Sequence, residues 1–160
     1  AHQIYHCPFC NVCRRGAGLG VDAVHCMGCN ACMAPALHAR HRCTERALGG
    51  DCPVCAAPLF DSAAPVREAR CGHFMHSACF AAYTRVAYAC PLCSRSLGDM
   101  SVYWKMVDAL LAAEHAALPP EYAARRQAVS CHDCGGETDA PFHFVYHKCG
   151  GCGGYNTRVK

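Results

Sequence analysis

The chain has 160 residues, among them 17 cysteines and 11 histidines, and a formal net charge of +3. Much of its 52% hydrophobic content is cysteine and alanine, so large apolar side chains are too few for one ordinary core, and metal ions or disulfides must stabilise the fold. No run of about 18 apolar residues is present, which excludes a transmembrane helix, and no collagen or coiled-coil period occurs.

The cysteines favour zinc over disulfides because they form six short-spaced clusters interleaved with histidine. Two thiolates three positions apart on a tight turn can face one tetrahedral ion. A secreted disulfide scaffold needs no histidine at short offsets and usually has an even number of cysteines. Free thiols on zinc also indicate a reducing compartment, either cytosol or nucleus.

The first segment, residues 1–48, repeats the pattern H-C-x2-C-x2-C from His6 and again from His25, with a period of 19 residues, and closes with His41-x-Cys43. Interleaved pairing predicts two zinc groups, with His38 as an alternative to His41. These groups are Cys7, Cys10, His25 and Cys32, and Cys26, Cys29, His41 and Cys43.

This pairing leaves His6 and Cys13 as a half-site. An upstream C-x2-C would complete it, and the odd number of cysteines agrees with a missing partner. The chain also begins at Ala1 with no methionine and no signal-peptide pattern. We therefore expect a truncation at Ala1, about five zinc ions on this chain, and a sixth site that needs upstream residues.

The second segment, residues 51–97, follows Gly49-Gly50 and contains eight ligands in the order C-x2-C-x15-C-x-H-x2-H-x2-C-x10-C-x2-C. The two central pairs lie too close together for consecutive sites, so alternate pairing is predicted. The resulting groups are Cys52, Cys55, His76 and Cys79, and Cys71, His73, Cys90 and Cys93. A PHD-like module is the structural alternative, but the doublet of His73 and His76 argues against it.

A helix is predicted over Ser101 to Ala117, within a linker of residues 98–128, and Leu118-Pro119-Pro120 ends it. Its apolar face, which we interpret as a packing surface rather than a partner groove, consists of Tyr103, Val107, Leu110 and Leu111.

The last segment, residues 129–160, is predicted to form a one-zinc ribbon. Its ligands are Cys131, Cys134, Cys149 and Cys152. His147 is a substitute ligand, although the four cysteines suffice. Ribbons bind nucleic acids and proteins alike. Binding of sixteen thiolates to five zinc ions would turn the formal charge of +3 into about −3, and the basic residues are scattered, which disfavours direct nucleic-acid binding.

The fold class expected is a tandem of small zinc-stabilised α+β modules. The second segment resembles the cross-braced RING-H2 finger, and residues 5–43 resemble the CTCHY-type zinc finger without its first C-x2-C. With the ribbon, the chain is similar to the Pirh2/BRUTUS class of RING ligases. The segments most similar to its plant and algal hemerythrin–RING–zinc-finger branch are residues 5–11, 96–100 and 146–149.

This resemblance implies an E3 ubiquitin ligase module that binds a ubiquitin-conjugating enzyme (E2), ubiquitin and a protein substrate. The E2 contacts that it implies are Val54, Tyr83, Pro91 and Leu92; Phe80 and Tyr83 would lie on a short helix beginning near Ser77. The position after the last ligand, often Arg or Lys in strong RING fingers, is Ser94 here. No catalytic residue is expected, because the six cysteines of this segment are all zinc ligands.

The resemblance further implies ubiquitination of transcription factors in iron homeostasis, in the nucleus and/or the cytoplasm. The alternative function is a non-catalytic zinc scaffold or transcriptional adaptor. Val54, Pro91 and Leu92 favour the ligase, because a scaffold has no need of apolar residues at these positions.

Overall fold

The computed structural model describes residues 3–43, 45, 48–62, 64–115 and 119–160. The chain forms two compact units, residues 1–87 and 88–160, and the boundary falls inside the sequence range predicted as the RING finger. Within the described ranges, none of the helices has the length and apolar character needed to cross a membrane.

The described residues of the first unit form three two-stranded antiparallel hairpins and two short helices. Its strands are β1 (Ile4–Cys7), β2 (Val12–Arg15), β3 (Val24–Cys26), β4 (Ala31–Met33), β5 (Val66–Glu68) and β6 (Phe74–His76). Its helices are α1 (Pro35–His38) and α2 (Ser77–Tyr83), and α2 begins at the residue expected from the sequence.

The C-x2-C clusters form tight turns that share one backbone device. Cys52 N–H donates to Ala57 O, and Ala56 N–H donates to Cys52 O, both at 2.8 Å. The same pair of hydrogen bonds recurs at Cys90, Cys131 and Cys149. In all six clusters the residue after the second cysteine has a positive φ, and these residues are Asn11, Asn30, Ala56, Ser94, Gly135 and Gly153. Such a turn aims both sulphur atoms at one point.

The second unit contains two helices and a three-stranded antiparallel sheet with the order β8-β7-β9. Its elements are α3 (Ser101–His115), α4 (Pro120–Ala123), β7 (Arg126–Cys131), β8 (Glu137–Pro141) and β9 (Thr157–Val159). The short helix α4 and the start of β7 lie inside the range that the sequence assigns to a linker.

Helix α3 begins at Ser101 as predicted, while its predicted end at Ala117 and the residue Leu118 lie outside the described residues. Val107 is buried and Leu111 is half-buried, but Tyr103 and Leu110 are 42% and 45% exposed. The predicted packing face was therefore wrong for these two residues. Trp104 takes their place, because its large ring packs against Tyr155 at a centroid distance of 5.8 Å.

The core is built around the cysteines. Of the twenty buried apolar residues in the described chain, eight are cysteines, and most others are small or medium-sized, such as Ala31 and Val129. Local stability must therefore come largely from the groups that hold these sulphur atoms together.

Candidate metal centres

Among the described residues, five groups of four Cys or His side chains have their ligand atoms within 4.8 Å of one another. They are the same groups that the spacing predicts: Cys7, Cys10, His25 and Cys32; Cys26, Cys29, His41 and Cys43; Cys52, Cys55, His76 and Cys79; Cys71, His73, Cys90 and Cys93; and Cys131, Cys134, Cys149 and Cys152. The third and fourth groups alternate along the chain, which is the cross-braced order.

The distances between sulphur atoms fit a tetrahedral zinc ion. Four ligands about 2.3 Å from zinc would place neighbouring sulphur atoms roughly 3.8 Å apart. The sulphur atoms of Cys26 and Cys43 are 3.7 Å apart, those of Cys10 and Cys32 3.8 Å, and the ribbon pairs 3.6 Å. A disulfide needs about 2.05 Å, and none of the 17 cysteines, all of which lie among the described residues, forms one.

The histidines direct a ring nitrogen at the sulphur atoms. His25 Nδ1 lies 3.5 Å from Cys7 Sγ, and His76 Nδ1 lies 3.3 Å from Cys55 Sγ. His41 is reversed: its Nδ1 bonds to the carbonyl of His38 at 2.7 Å, and its buried Nε2 has no hydrogen-bond partner in the described chain. A carbonyl that fixes the ring in this way is typical of a zinc ligand, so His38 orients the ligand His41 instead of replacing it.

The ionisation of the thiols also favours a cation. Burial opposes ionisation of Cys52, but the backbone N–H groups of His76 and Val54 outweigh it and lower the pKa of this thiol to about 6. The neighbouring thiol of Cys55 raises the pKa of Cys79 to about 11. Cys52 can therefore lose its proton readily, whereas Cys79 needs a nearby cation, such as zinc, to become a thiolate at neutral pH.

Three further side chains from the sequence analysis, His6, Cys13 and His147, lie outside these groups. His6 Nδ1 and Cys13 Sγ face each other at 3.6 Å across the β1–β2 hairpin, where they are direct strand partners. His147 is buried but bonds through Nε2 to the carbonyl of His143 at 2.8 Å, and the ribbon group consists of cysteines alone.

The residues expected to contact an E2 lie near the ligands and are at least partly accessible. Val54 is 39% exposed and Leu92 is 58% exposed, each between the two cysteines of a pair. Pro91 is exposed, and Tyr83 is half-buried at the end of α2. Their role in E2 binding stays a prediction.

Sequence reasoning missed a polar network around Ser94 in the second unit. Asn156, which is 5% exposed, donates from Nδ2 to Ser94 O at 2.7 Å and to Asp133 Oδ1 at 2.8 Å. Asp133 in turn accepts hydrogen bonds from the N–H and hydroxyl of Ser96 at 2.7 and 2.8 Å. The ribbon therefore holds the residues that follow the last ligand pair. A lone Asn in a Gly-rich segment carries no sequence signal for this role.

Comparisons with known proteins agree with the two zinc modules. The Ring finger domain family matches residues 50–94, and the zinc-ribbon family matches residues 98–158. The chain is 56% identical over 156 residues to the zinc finger protein BRUTUS of Arabidopsis thaliana, covering 98% of this chain and 12% of that protein.

Shorter relatives match as well. The E3 ubiquitin-protein ligase RZFP34 of Arabidopsis thaliana is 43% identical over 122 residues, which covers 74% of this chain and 40% of the relative. The E3 ubiquitin-protein ligase SRFP1 of Oryza sativa is 34% identical over 155 residues, which covers 96% of this chain and 57% of the relative. The chain thus spans only part of each relative. Over the segment that it spans, it is similar to the BRUTUS-like proteins, and it contains a Ring finger domain and a zinc ribbon.

Proposed function

We propose that this chain is the E3 ubiquitin ligase module of a larger protein. The observation that carries the proposal is the alternating grouping of the eight ligands between Cys52 and Cys93, together with exposed apolar residues inside the first and last ligand pairs. The names of RZFP34 and SRFP1, both called E3 ubiquitin-protein ligases, support it.

In this mechanism the chain forms no covalent bond to ubiquitin. An amine of the substrate attacks the thioester carbonyl of the E2–ubiquitin conjugate, the E2 thiol leaves, and an amide forms. The RING residues bind the E2 and hold the conjugate in a reactive orientation, which accelerates transfer by reducing its entropic cost. Each group of four side chains would fill the coordination sphere of one zinc ion and leave no open position for a substrate, so the ion would have a structural role.

The test is a reconstituted ubiquitination assay with zinc-loaded chain, E1, a promiscuous E2, ubiquitin and ATP. Val54→Ala should leave the fold intact, because Val54 is partly exposed, and should lower ubiquitin transfer several-fold by removing apolar contact with the E2. Val21→Ala is the matched control, since Val21 is 71% exposed and lies outside the RING segment.

Zinc content is measured on every variant. Equal transfer by wild type and Val54→Ala would contradict the E2 contact. Absence of transfer across a panel of E2 enzymes, with five zinc ions bound, would favour the alternative of a non-catalytic scaffold or transcriptional adaptor. Ser94 would then be the first residue to replace by Arg.

The biological setting belongs to the same proposal. We further propose a role in iron homeostasis, with transcription regulators as substrates in the nucleus and/or cytoplasm, as the resemblance of the sequence to the hemerythrin–RING–zinc-finger branch implies. The N-terminal hairpins, which contribute two zinc groups and the pair of His6 and Cys13, support a CTCHY-type finger next to the RING.

A further inference from the structure

An open cleft of about 650 Å³ lies in the first unit, between the end of α1 and strand β5. Its lining contains four arginines and one carboxylate, and these are Arg40, Arg42, Arg67, Arg70 and Glu68. Leu37 and Val66 add apolar surface. This arginine cleft has three more positive than negative side chains, whereas the zinc-loaded chain as a whole would be acidic.

Three of the four arginines in the cleft have no carboxylate partner among the described residues. Arg40, Arg67 and Arg70 form no ion pair with any carboxylate in the part of the chain that the structure describes. The carboxylate of Glu68 instead accepts a hydrogen bond from the backbone N–H of Arg42 at 3.3 Å. The guanidinium of Arg67 stacks on the ring of Phe80 at 4.3 Å, which leaves its edge available for hydrogen bonds.

Strand β5 contributes a free edge to the same cleft. Ala69 N–H donates to His73 O, and Ser77 N–H donates to Pro65 O, both at 2.8 Å. In this antiparallel register the main-chain groups of Val66 and Glu68 point away from β6. No backbone hydrogen bond to another described segment satisfies them, and both residues line the cleft.

We propose that the arginine cleft binds an extended segment of an acidic polypeptide, which adds a strand to the free edge of β5. The backbone of this segment would pair with Val66 and Glu68, as in other cases of strand addition. Its carboxylates would bind the planar guanidinium groups of Arg40 and Arg70, which suit two parallel hydrogen bonds. The apolar contacts at Leu37 and Val66 favour a polypeptide over a nucleic-acid backbone. The inference does not depend on ligase activity.

The probe is a fluorescein-labelled ten-residue peptide of alternating Asp and Val, titrated with the zinc-loaded chain and followed by fluorescence anisotropy. Arg40→Glu and Arg70→Glu should each raise Kd at least tenfold. Arg15→Glu, an exposed charge reversal in the same unit but outside the cleft, should change it less than twofold. The same peptide N-methylated at every second residue should also bind at least tenfold more weakly, since it cannot pair with β5.

Zinc content and circular dichroism check that each variant is folded. If a charge-reversal variant does not fold, Arg40→Gln or Arg70→Gln takes its place. Unchanged Kd in folded variants, or no binding by the wild type, would overturn the cleft as the site. Equal binding of the N-methylated peptide would overturn strand addition. Tighter, Arg40-dependent binding of a single-stranded oligonucleotide would assign the cleft to nucleic acid instead.

Discussion

Gly28 lies between Cys26 and Cys29, where the absence of a side chain leaves room for a zinc ligand. A Cβ atom at this position would overlap the sulphur of Cys43. Gly28→Ala should therefore displace Cys43 from its group and weaken zinc binding at that site at least tenfold, because three ligands hold the ion less well than four. Competition with a chromophoric chelator measures the change.

Gly50→Ala is the matched control for Gly28→Ala, since nothing lies within 4 Å of a Cβ atom at Gly50. The control should release its zinc like the wild type. If Gly28→Ala retains five zinc ions with unchanged affinity, the position of Cys43 as a zinc ligand does not depend on Gly28.

At the scale of single residues, the metal ligands are predictable from the sequence, whereas the backbone conformation of some turn residues is not. Two cysteines three positions apart specify a local turn, so spacing alone gives the five groups that the structure brings together. Asn30 and Gly153 fit the positive φ that follows each pair, because Asn and Gly tolerate it. Ala56 and Ser94 adopt the same conformation with no signal in their residue type, since the tight turn imposes it through their N–H bonds to Cys52 O and Cys90 O.

Among the elements, the link between the last RING ligand pair and the ribbon rests on Asn156. Asn156→Ala removes the donor that satisfies Ser94 O and Asp133 Oδ1. We expect the free energy of unfolding of the second unit to fall by about 1–3 kcal/mol, because Ser94 O and the carboxylate of Asp133 each lose a part-buried hydrogen bond. A guanidinium titration at fixed free zinc measures it.

The comparison variant for Asn156→Ala is Gln127→Ala. Gln127 lies on β7 in the second unit, and its buried Nε2 has no hydrogen-bond partner in the described residues. Its removal should change the free energy of unfolding by less than about 0.5 kcal/mol. Equal effects of the two variants would mean that the Asn156 network contributes nothing beyond side-chain packing.

The helices and strands were predictable from the sequence only where a local residue pattern specifies them. The 3.6-residue period and the following prolines locate helix α3 from Ser101. The buried face of α3 was assigned wrongly because periodicity does not tell which apolar side chain contacts a neighbouring element. Trp104 packs on Tyr88 and Tyr155. Tyr103 and Leu110 are exposed. That outcome depends on the ribbon, whose contact with α3 no local pattern encodes.

On the scale of the whole molecule, the arginine cleft shows what one-dimensional charge counting misses. Arg40 and Arg70 are 30 positions apart in the sequence and look scattered. Folding brings them to one cleft because the segment after α1 lies beside strand β5. Zinc thiolates lower the total charge while leaving this local excess of positive charge in place.

The zinc ions should decide whether the whole chain is folded. Eight of the twenty buried apolar residues in the described ranges are cysteines, so chelation removes the centres around which the core is built. Structural zinc contributes roughly 10–16 kcal/mol per site in small peptides, which exceeds the total stability of most domains. Excess chelator at neutral pH should release five zinc ions per chain and abolish the dispersed amide NMR spectrum, and zinc added back under reducing conditions should restore it.

Acid should act in the same direction, because protons compete with zinc for thiolate and imidazole. A chain that keeps its spectrum with less than one zinc bound would show that apolar packing suffices, and a sixth equivalent of zinc would show that His6 and Cys13 bind an ion without upstream residues.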